Sequence, residues 1–151
     1  MVEIQEPNEA LGEESLDHLE NEIGFCLPRE YRTFLGTYNG GYPEPDVFDF
    51  SDGREGSSVN QFYGLTIKDN SRNILSVRNT FLNRIPARYL AIACDPGGNQ
   101  ICLAMAGEDE GTIIFWDHEL EAEDGEPPSS ENMTMIANSF NEFIEKLRNL
   151  D

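Results

Sequence analysis

The apolar positions at the start of the chain have the spacing of an amphipathic helix. Leucines and one isoleucine recur through residues 8–22 and just beyond, with acidic residues at many of the positions between them. Asn8 is a suitable capping residue, and Gly24 is suited to end the helix because glycine adopts a positive φ readily. The expected buried line consists of Leu11, Leu16, Leu19 and Ile23.

A second helix is predicted directly after the first. Pro28 suits its first position, because the fixed φ of proline is helical and the missing N–H would have had no partner there. Asn39-Gly40-Gly41 can adopt positive φ at low steric cost, so we expect the helix to end there and the chain to reverse. The apolar face of this helix comprises Tyr31, Phe34, Leu35 and Tyr38.

The remainder of the chain mixes short apolar runs with turn signals. A third helix is predicted over residues 73–82, ahead of Pro86, and an amphipathic closing helix is predicted over residues 134–150. The polar residues 54–58 and the acidic, proline-containing residues 119–130 are predicted to be loops. Strands are predicted at residues 47–50, 59–65, 90–94, 100–104 and 112–116, the last three as an antiparallel meander.

This order of elements, ααββαβββα, predicts an α+β fold. The chain of 151 residues is long enough for one domain with one core, so we expect residues 1–151 to form a single domain. Its antiparallel, twisted sheet is expected to have about five or six strands, with the helices packed around it.

Four segments resemble, in order, the motifs of the SUKH superfamily, which includes the SMI/KNR family of cell-wall assembly regulators and its bacterial relatives. Residues 23–35 carry I-G-x-x-L-P-x-x-Y-x-x-F-L ahead of Asn39-Gly40-Gly41, and residues 89–103 are similar to the family's hairpin. Residues 111–119 and 136–144 resemble its later strand and its closing helix.

This resemblance implies an α+β fold and, for the bacterial members, an immunity protein that binds and neutralises a polymorphic toxin. The family has no accepted catalytic constellation, so the resemblance implies a protein-binding module without enzymatic activity. A regulatory or scaffold adaptor of the cell-wall regulator type is the alternative that the resemblance leaves open.

Charge narrows the class of partner. The chain has 29 acidic and 10 basic residues, and a formal net charge of −19. Binding to nucleic acid relies on Lys and Arg residues that neutralise phosphate, so the expected partner of this acidic chain is a basic protein rather than a nucleic acid. A nuclease-type toxin domain is a basic protein of this kind. Residues 1–28 contain eight acids and residues 107–131 contain ten, and neither stretch contains Lys or Arg.

Hydropathy and cysteine usage predict a cytoplasmic protein, which we expect to be a monomer or a weak dimer. No apolar run approaches the ~20 residues of a membrane span, and residues 1–6 lack a basic start and an apolar core. Cys26, Cys94 and Cys102 are flanked by apolar residues and are expected to be buried thiols. A pairing of Cys94 with Cys102 across a hairpin is the alternative.

Catalytic and metal-binding interpretations are weaker than structural ones. A nucleophilic site needs an exposed thiol, whereas the candidate thiols lie in apolar, strand-like runs. Its members would be Cys94 or Cys102, His118, and Asp95 or Asp117. The spacing of Asp46, Asp49 and Asp52 does not match the ligand positions of an EF-hand. Solvated turns are favoured over a metal site for both acidic triads, and no cofactor is expected. The triads are Asp46, Asp49, Asp52 and Glu108, Asp109, Glu110.

The predicted partner surface consists of acids beside the exposed sheet edges and loops. Trp116, followed by Asp117-His118-Glu119, has the composition of an interface anchor rimmed by charge, and burial of Trp116 beside the closing helix is the alternative. The predicted contact residues are Asp46, Asp49, Asp52, Glu55, Trp116, Asp117, Glu119, Glu121 and Glu123.

Overall fold

A computed structural model describes residues 2–150, which contain four helices and nine strands. The helices are α1 (Glu13–Ile23), α2 (Arg29–Tyr38), α3 (Ile74–Thr80) and α4 (Phe140–Glu145). The strands are β1 (Glu3–Gln5), β2 (Tyr42–Glu44), β3 (Val47–Asp49), β4 (Glu55–Ser58), β5 (Gln61–Phe62), β6 (Tyr89–Cys94), β7 (Gln100–Ala104), β8 (Ile113–Trp116) and β9 (Met133–Ala137).

A five-stranded antiparallel sheet, in the order β5-β6-β7-β8-β9, lies at the centre of the molecule. The predicted meander from β6 to β8 is confirmed, with Ile101 opposite Phe115 in the register. Nearly all residues of these three strands are buried, which shows that other elements cover both faces of the sheet. Two smaller antiparallel sheets, β1–β2 and β3–β4, complete an α+β fold, as predicted.

α1 begins later than the sequence predicts. Its N-cap is Gly12 rather than Asn8. The Asn8 side chain makes a long-range contact instead, because its Nδ2 donates a hydrogen bond to the Asn39 carbonyl at 2.8 Å. The predicted end at Gly24 is confirmed by a φ of 79°. The inner face of the helix consists of Leu16, Leu19 and Ile23, all buried as predicted. Leu11, predicted to belong to the same line, precedes the helix and is only partly buried.

α2 ends in the predicted turn. Asn39, Gly40 and Gly41 all have positive φ, at 49°, 97° and 114°. The Asn39 side chain is buried, and its Nδ2 donates to the carbonyls of Leu65 and Glu9 at 3.0 and 3.1 Å. Its Oδ1 accepts a hydrogen bond from the Leu65 N–H at 2.6 Å. This turn therefore ties the end of α2 to the segment before α1 and to the segment after β5.

Secondary structure also departs from the prediction elsewhere. Strand β1 was not predicted. Residues 54–58 contain β4, which pairs with β3, rather than a loop. The third helix is confirmed, because α3 lies inside the predicted residues 73–82, although it ends at Thr80 and so before Pro86. Residues 134–150 were predicted as one helix, but they contain most of β9 and the short helix α4.

The β3–β4 hairpin packs against the central sheet near its β9 edge. The Phe48 ring lies 6.0 Å from the rings of both Phe115 and Phe143, measured between centroids. At the tip of the hairpin, the Ser51 N–H donates to the Met135 carbonyl at 2.9 Å. These contacts place the acids of the hairpin beside an edge of the sheet.

The cysteines differ in burial. Cys102 is buried and Cys94 is partly buried, but Cys26 is exposed, so the prediction of three buried thiols is wrong for Cys26. Cys26 lies in the connection between α1 and α2, where an apolar flank does not ensure burial. All three thiols are free, and Cys94 lies opposite Gln100 rather than Cys102. Within residues 2–150, every helix is too short or too polar to span a membrane.

Candidate protein-binding surface

Two of the four predicted acids of the β3–β4 hairpin are neutralised by arginines. Arg148 donates from Nε and Nη2 to the two carboxylate oxygens of Asp49, each at 2.9 Å. Arg54 donates to Asp52 from its backbone N–H at 3.0 Å and from Nε at 2.8 Å. These hydrogen bonds lower the pKa of both carboxyl groups. Asp49 and Asp52 are thus committed to contacts within the chain.

Asp46 and Glu55 are exposed, as Asp52 is, but they differ from it in their contacts. Neither carboxylate forms an ion pair with any residue in the described part of the chain. Both line a shallow open groove along the hairpin. Together they are the part of this hairpin that offers uncompensated negative charge to a partner.

The chain leaving β8 forms an acidic loop, residues 117–131, which contains seven acids and no Lys or Arg. Asp117 caps its first turn by accepting a hydrogen bond from the Glu119 N–H at 3.0 Å. Arg84 donates from Nη2 and Nε to Glu121, at 2.8 and 3.1 Å, and these bonds lower the pKa of the Glu121 carboxyl. The Arg84–Glu121 ion pair joins the loop to the segment that follows α3.

Apart from Asp117 and Glu121, the acids of the acidic loop are exposed and lack an ion pair within residues 2–150. The prediction from sequence named two of them, Glu119 and Glu123. It omitted Asp124, Glu126 and Glu131, although all three belong to the same base-free stretch that was recognised in the sequence. The density of acids in that stretch was the available signal, but nothing in the sequence distinguishes a capped or paired acid from a free one.

Trp116 belongs to the core rather than to the surface. Its side chain is fully buried, with its ring 5.4 Å from that of Phe81 in an edge contact. The indole Nε1 has no hydrogen-bond partner in the described residues. A residue with no exposed surface cannot anchor a partner in this conformation, so the alternative of a buried Trp116 is the correct one.

The turn between β6 and β7 lies between the two acidic regions. Its Asp95 accepts a hydrogen bond from Ser57 Oγ of β4 at 2.9 Å. On the other side, the His118 N–H donates to Asn99 Oδ1 at 3.0 Å, and His118 Nε2 lies 2.9 Å from the Gly97 carbonyl. The hairpin and the start of the acidic loop therefore meet the same turn at one end of the central sheet.

The candidate nucleophilic residues are occupied by structural contacts. Cys102 is fully buried, and burial raises the pKa of its thiol, which opposes thiolate formation. The Asp95 carboxylate accepts hydrogen bonds from the N–H groups of Gly97 and Asn99, at 3.0 and 2.8 Å, in addition to that from Ser57. Asp95 thus stabilises its own turn rather than orienting His118.

In the acidic triads considered as metal ligands, some of the carboxylates are already bound by other side chains. Asp109 accepts hydrogen bonds from Arg88 and from the Tyr89 hydroxyl. Burial raises its pKa, but these bonds and the charge of Arg88 outweigh burial, so the net shift is downward. Within residues 2–150, no three His, Cys, Asp or Glu side chains are grouped so that they could hold a metal ion.

Comparison with known proteins identifies one family. Residues 10–146 match the model of the SMI1 / KNR4 family (SUKH-1). The chain is also similar to the SPbeta prophage-derived uncharacterized protein YokK of Bacillus subtilis (strain 168), with 34% identity. That similarity covers 89% of this chain and 73% of YokK.

Proposed function

This chain belongs to the SMI1 / KNR4 family (SUKH-1), and on that premise we propose that it is an immunity protein that binds and neutralises a basic toxin domain. The partner would be a nuclease-type domain, because a protein that acts on nucleic acid presents Lys and Arg to phosphate. An acidic protein bound over those residues would compete directly with the substrate.

The observation that carries this proposal is the uncompensated charge of the acidic loop. Only Glu121, of the seven acids in residues 117–131, forms an ion pair within the described chain. Asp49 and Asp52, by contrast, are held in ion pairs with arginines. Exposed carboxylates on one loop generate a negative potential that attracts a cationic partner and accelerates association.

The hairpin acids extend the same surface. Asp46 and Glu55 are unpaired, and their hairpin contacts the β6–β7 turn that also holds His118 at the start of the acidic loop. A partner centred on this end of the sheet could therefore reach both regions. Most of the charge lies on the acidic loop, so we place the main contact there.

Co-expression tests this function. The partner to use is the variable C-terminal domain of a large secreted protein encoded in a neighbouring reading frame. Expressed alone it should arrest growth, and co-expression of this chain should restore growth. If the wild-type chain fails to protect, the immunity function is wrong, and the absence of a toxic domain from the neighbouring frames would count against it.

Charge-reversed variants locate the surface in the same assay. The triple substitution Glu119→Lys, Glu123→Lys and Asp124→Lys should abolish protection without unfolding the chain, because these acids are exposed and unpaired within residues 2–150. A matched control makes the same change in charge at exposed acids elsewhere and should still protect. Its substitutions are Glu6→Lys, Glu9→Lys and Glu22→Lys. Equal protection by both triple variants would disprove the role of the acidic loop.

A further inference from the structure

An apolar pocket lies directly beside the acidic loop. It has a volume of about 140 Å³ and is bounded by the segment after α3, by β6 and by the acidic loop. Cavities of ~150 Å³ with apolar walls accept a benzene-sized group. The pocket can therefore take one large apolar side chain. Its walls include Phe81, Leu82, Ile85, Tyr89, Ala91 and Pro128.

One large exposed apolar residue lines this pocket, and a second lies on the acidic loop, which contributes Pro128 to the pocket wall. Leu82, which lines it, is 52% exposed, and Leu120 is 68% exposed. Water contact with side chains of this size is unfavourable, so their exposure is typical of a site that a partner covers. They belong to the two segments that the Arg84–Glu121 ion pair holds together. The Arg84 guanidinium also stacks 4.6 Å from the centre of the Phe81 ring, which fixes that wall of the pocket.

Charged residues of both signs lie near the pocket. Pro128 comes from the acidic loop, so the exposed Glu126 is two residues from the pocket wall. Asp124 lies close enough to Arg84 for its charge to contribute to a raised Arg84 pKa, after the larger effect of Glu121. Arg78 also lines the pocket and forms no ion pair within the described residues. The pocket is thus bordered both by the acidic loop and by a cation without an ion-pair partner in the described part of the chain.

We propose that this pocket receives one apolar side chain of the basic toxin partner, from a segment that is cationic on the side facing the acidic loop and neutral or acidic on the side facing Arg78. This inference rests on the proposed function and adds an apolar anchor to it. The contact has the composition of an interface hot spot, in which an apolar residue fills a pocket and charged groups surround it. The acids accelerate encounter, and the anchor slows dissociation.

A short peptide tests the pocket without the toxin. The probe peptide has lysines on one side of a central phenylalanine and serines on the other. It is made in two versions, with the lysines before or after the phenylalanine. The analogue, which serves as the control peptide, has alanine in place of the phenylalanine. Trp116 is the only tryptophan and contacts Phe81 in the pocket wall, so its fluorescence reports on occupancy. Burial of the phenylalanine ring should make the probe bind about tenfold more tightly than the analogue.

Substitution of Ala87 provides the blocked variant. Ala87 lines the pocket and is exposed, so Ala87→Phe fills the space without disturbing the core. It should reduce binding of the phenylalanine peptide to the level of the analogue. The matched control, Ala10→Phe, places the same ring at an exposed position outside this pocket and should bind as the wild type does.

Other outcomes would overturn the proposal. Equal binding of both peptides, unchanged by Ala87→Phe, would mean that only the acids attract the partner, and no binding would mean that the pocket is not a binding site. Self-association lost in Ala87→Phe would mean that a second copy of the chain occupies it. In the rescue assay, protection by the wild type but not by Ala87→Phe supports the pocket. Equal protection by both refutes the pocket alone, whereas failure of the wild type refutes the immunity function.

Discussion

Asn39 shows how much of one residue's structural role can be predicted from sequence. Its place before two glycines predicts a helix end with positive φ, and the structure confirms it. The hydrogen bonds of its buried side chain to Leu65 and Glu9 could not be predicted, because they depend on segments distant in sequence. The same limit applies to Asp49, because its ion-pair partner, Arg148, lies 99 residues further along the chain.

The first prediction at this scale concerns the Asn39 side chain. Asn39→Gly keeps the positive φ but leaves the buried Leu65 N–H without its acceptor and removes one of the two donors to the Leu65 carbonyl, the other being the Thr66 hydroxyl, so it should lower the free energy of unfolding by about 2–3 kcal/mol. Asn39→Ala adds the cost of a left-handed backbone and should lose about 1 kcal/mol more. Urea unfolding measures both. A glycine variant within ~0.5 kcal/mol of the wild type would show that the side chain is not a structural tie.

At the scale of elements, the sequence predicts the long buried segments well and the short edge segments poorly. The strands from β6 to β8 are apolar runs bounded by turns, whereas β4 is polar because it is the outer strand of a hairpin. The helix predicted over residues 134–150 combined two elements. Ile136 and Phe140 happen to keep helical spacing across the turn that separates β9 from α4. Ser139, followed three residues later by Glu142, marked the true start of the helix.

That start is testable. Ser139 Oγ accepts a hydrogen bond from the Glu142 N–H at 3.1 Å, so Ser139→Ala should lower the free energy of unfolding by about 1 kcal/mol. Ser139→Asp supplies an equivalent acceptor and should stay within ~0.5 kcal/mol of the wild type. Thermal or urea unfolding of the three proteins checks this. If the alanine and aspartate variants are equally destabilised, the capping bond is not what fixes the start of α4.

For the whole molecule, the distribution of charge is the property most relevant to function. Six of the ten bases form ion pairs with acids within residues 2–150, so few cations there remain to offset the surface acids. These six are Arg32, Arg54, Arg84, Arg88, Lys146 and Arg148. The sequence shows the segregation of acids into two stretches, but only the folded chain shows which acids are paired. In the acid-rich helix α1, Arg32 forms ion pairs with three of the acids. For this reason our proposal places the main contact on the acidic loop rather than on α1.

Binding kinetics between the purified chain and the purified toxin domain test the central claim most directly. The account predicts a one-to-one complex whose association rate constant falls at least about tenfold between ~0.05 and ~0.5 M salt, because screening weakens electrostatic attraction. The triple variant at Glu119, Glu123 and Asp124 should associate more slowly and depend less on salt. An association rate that is independent of salt, or the same in wild type and variant, would contradict recognition through the acidic loop.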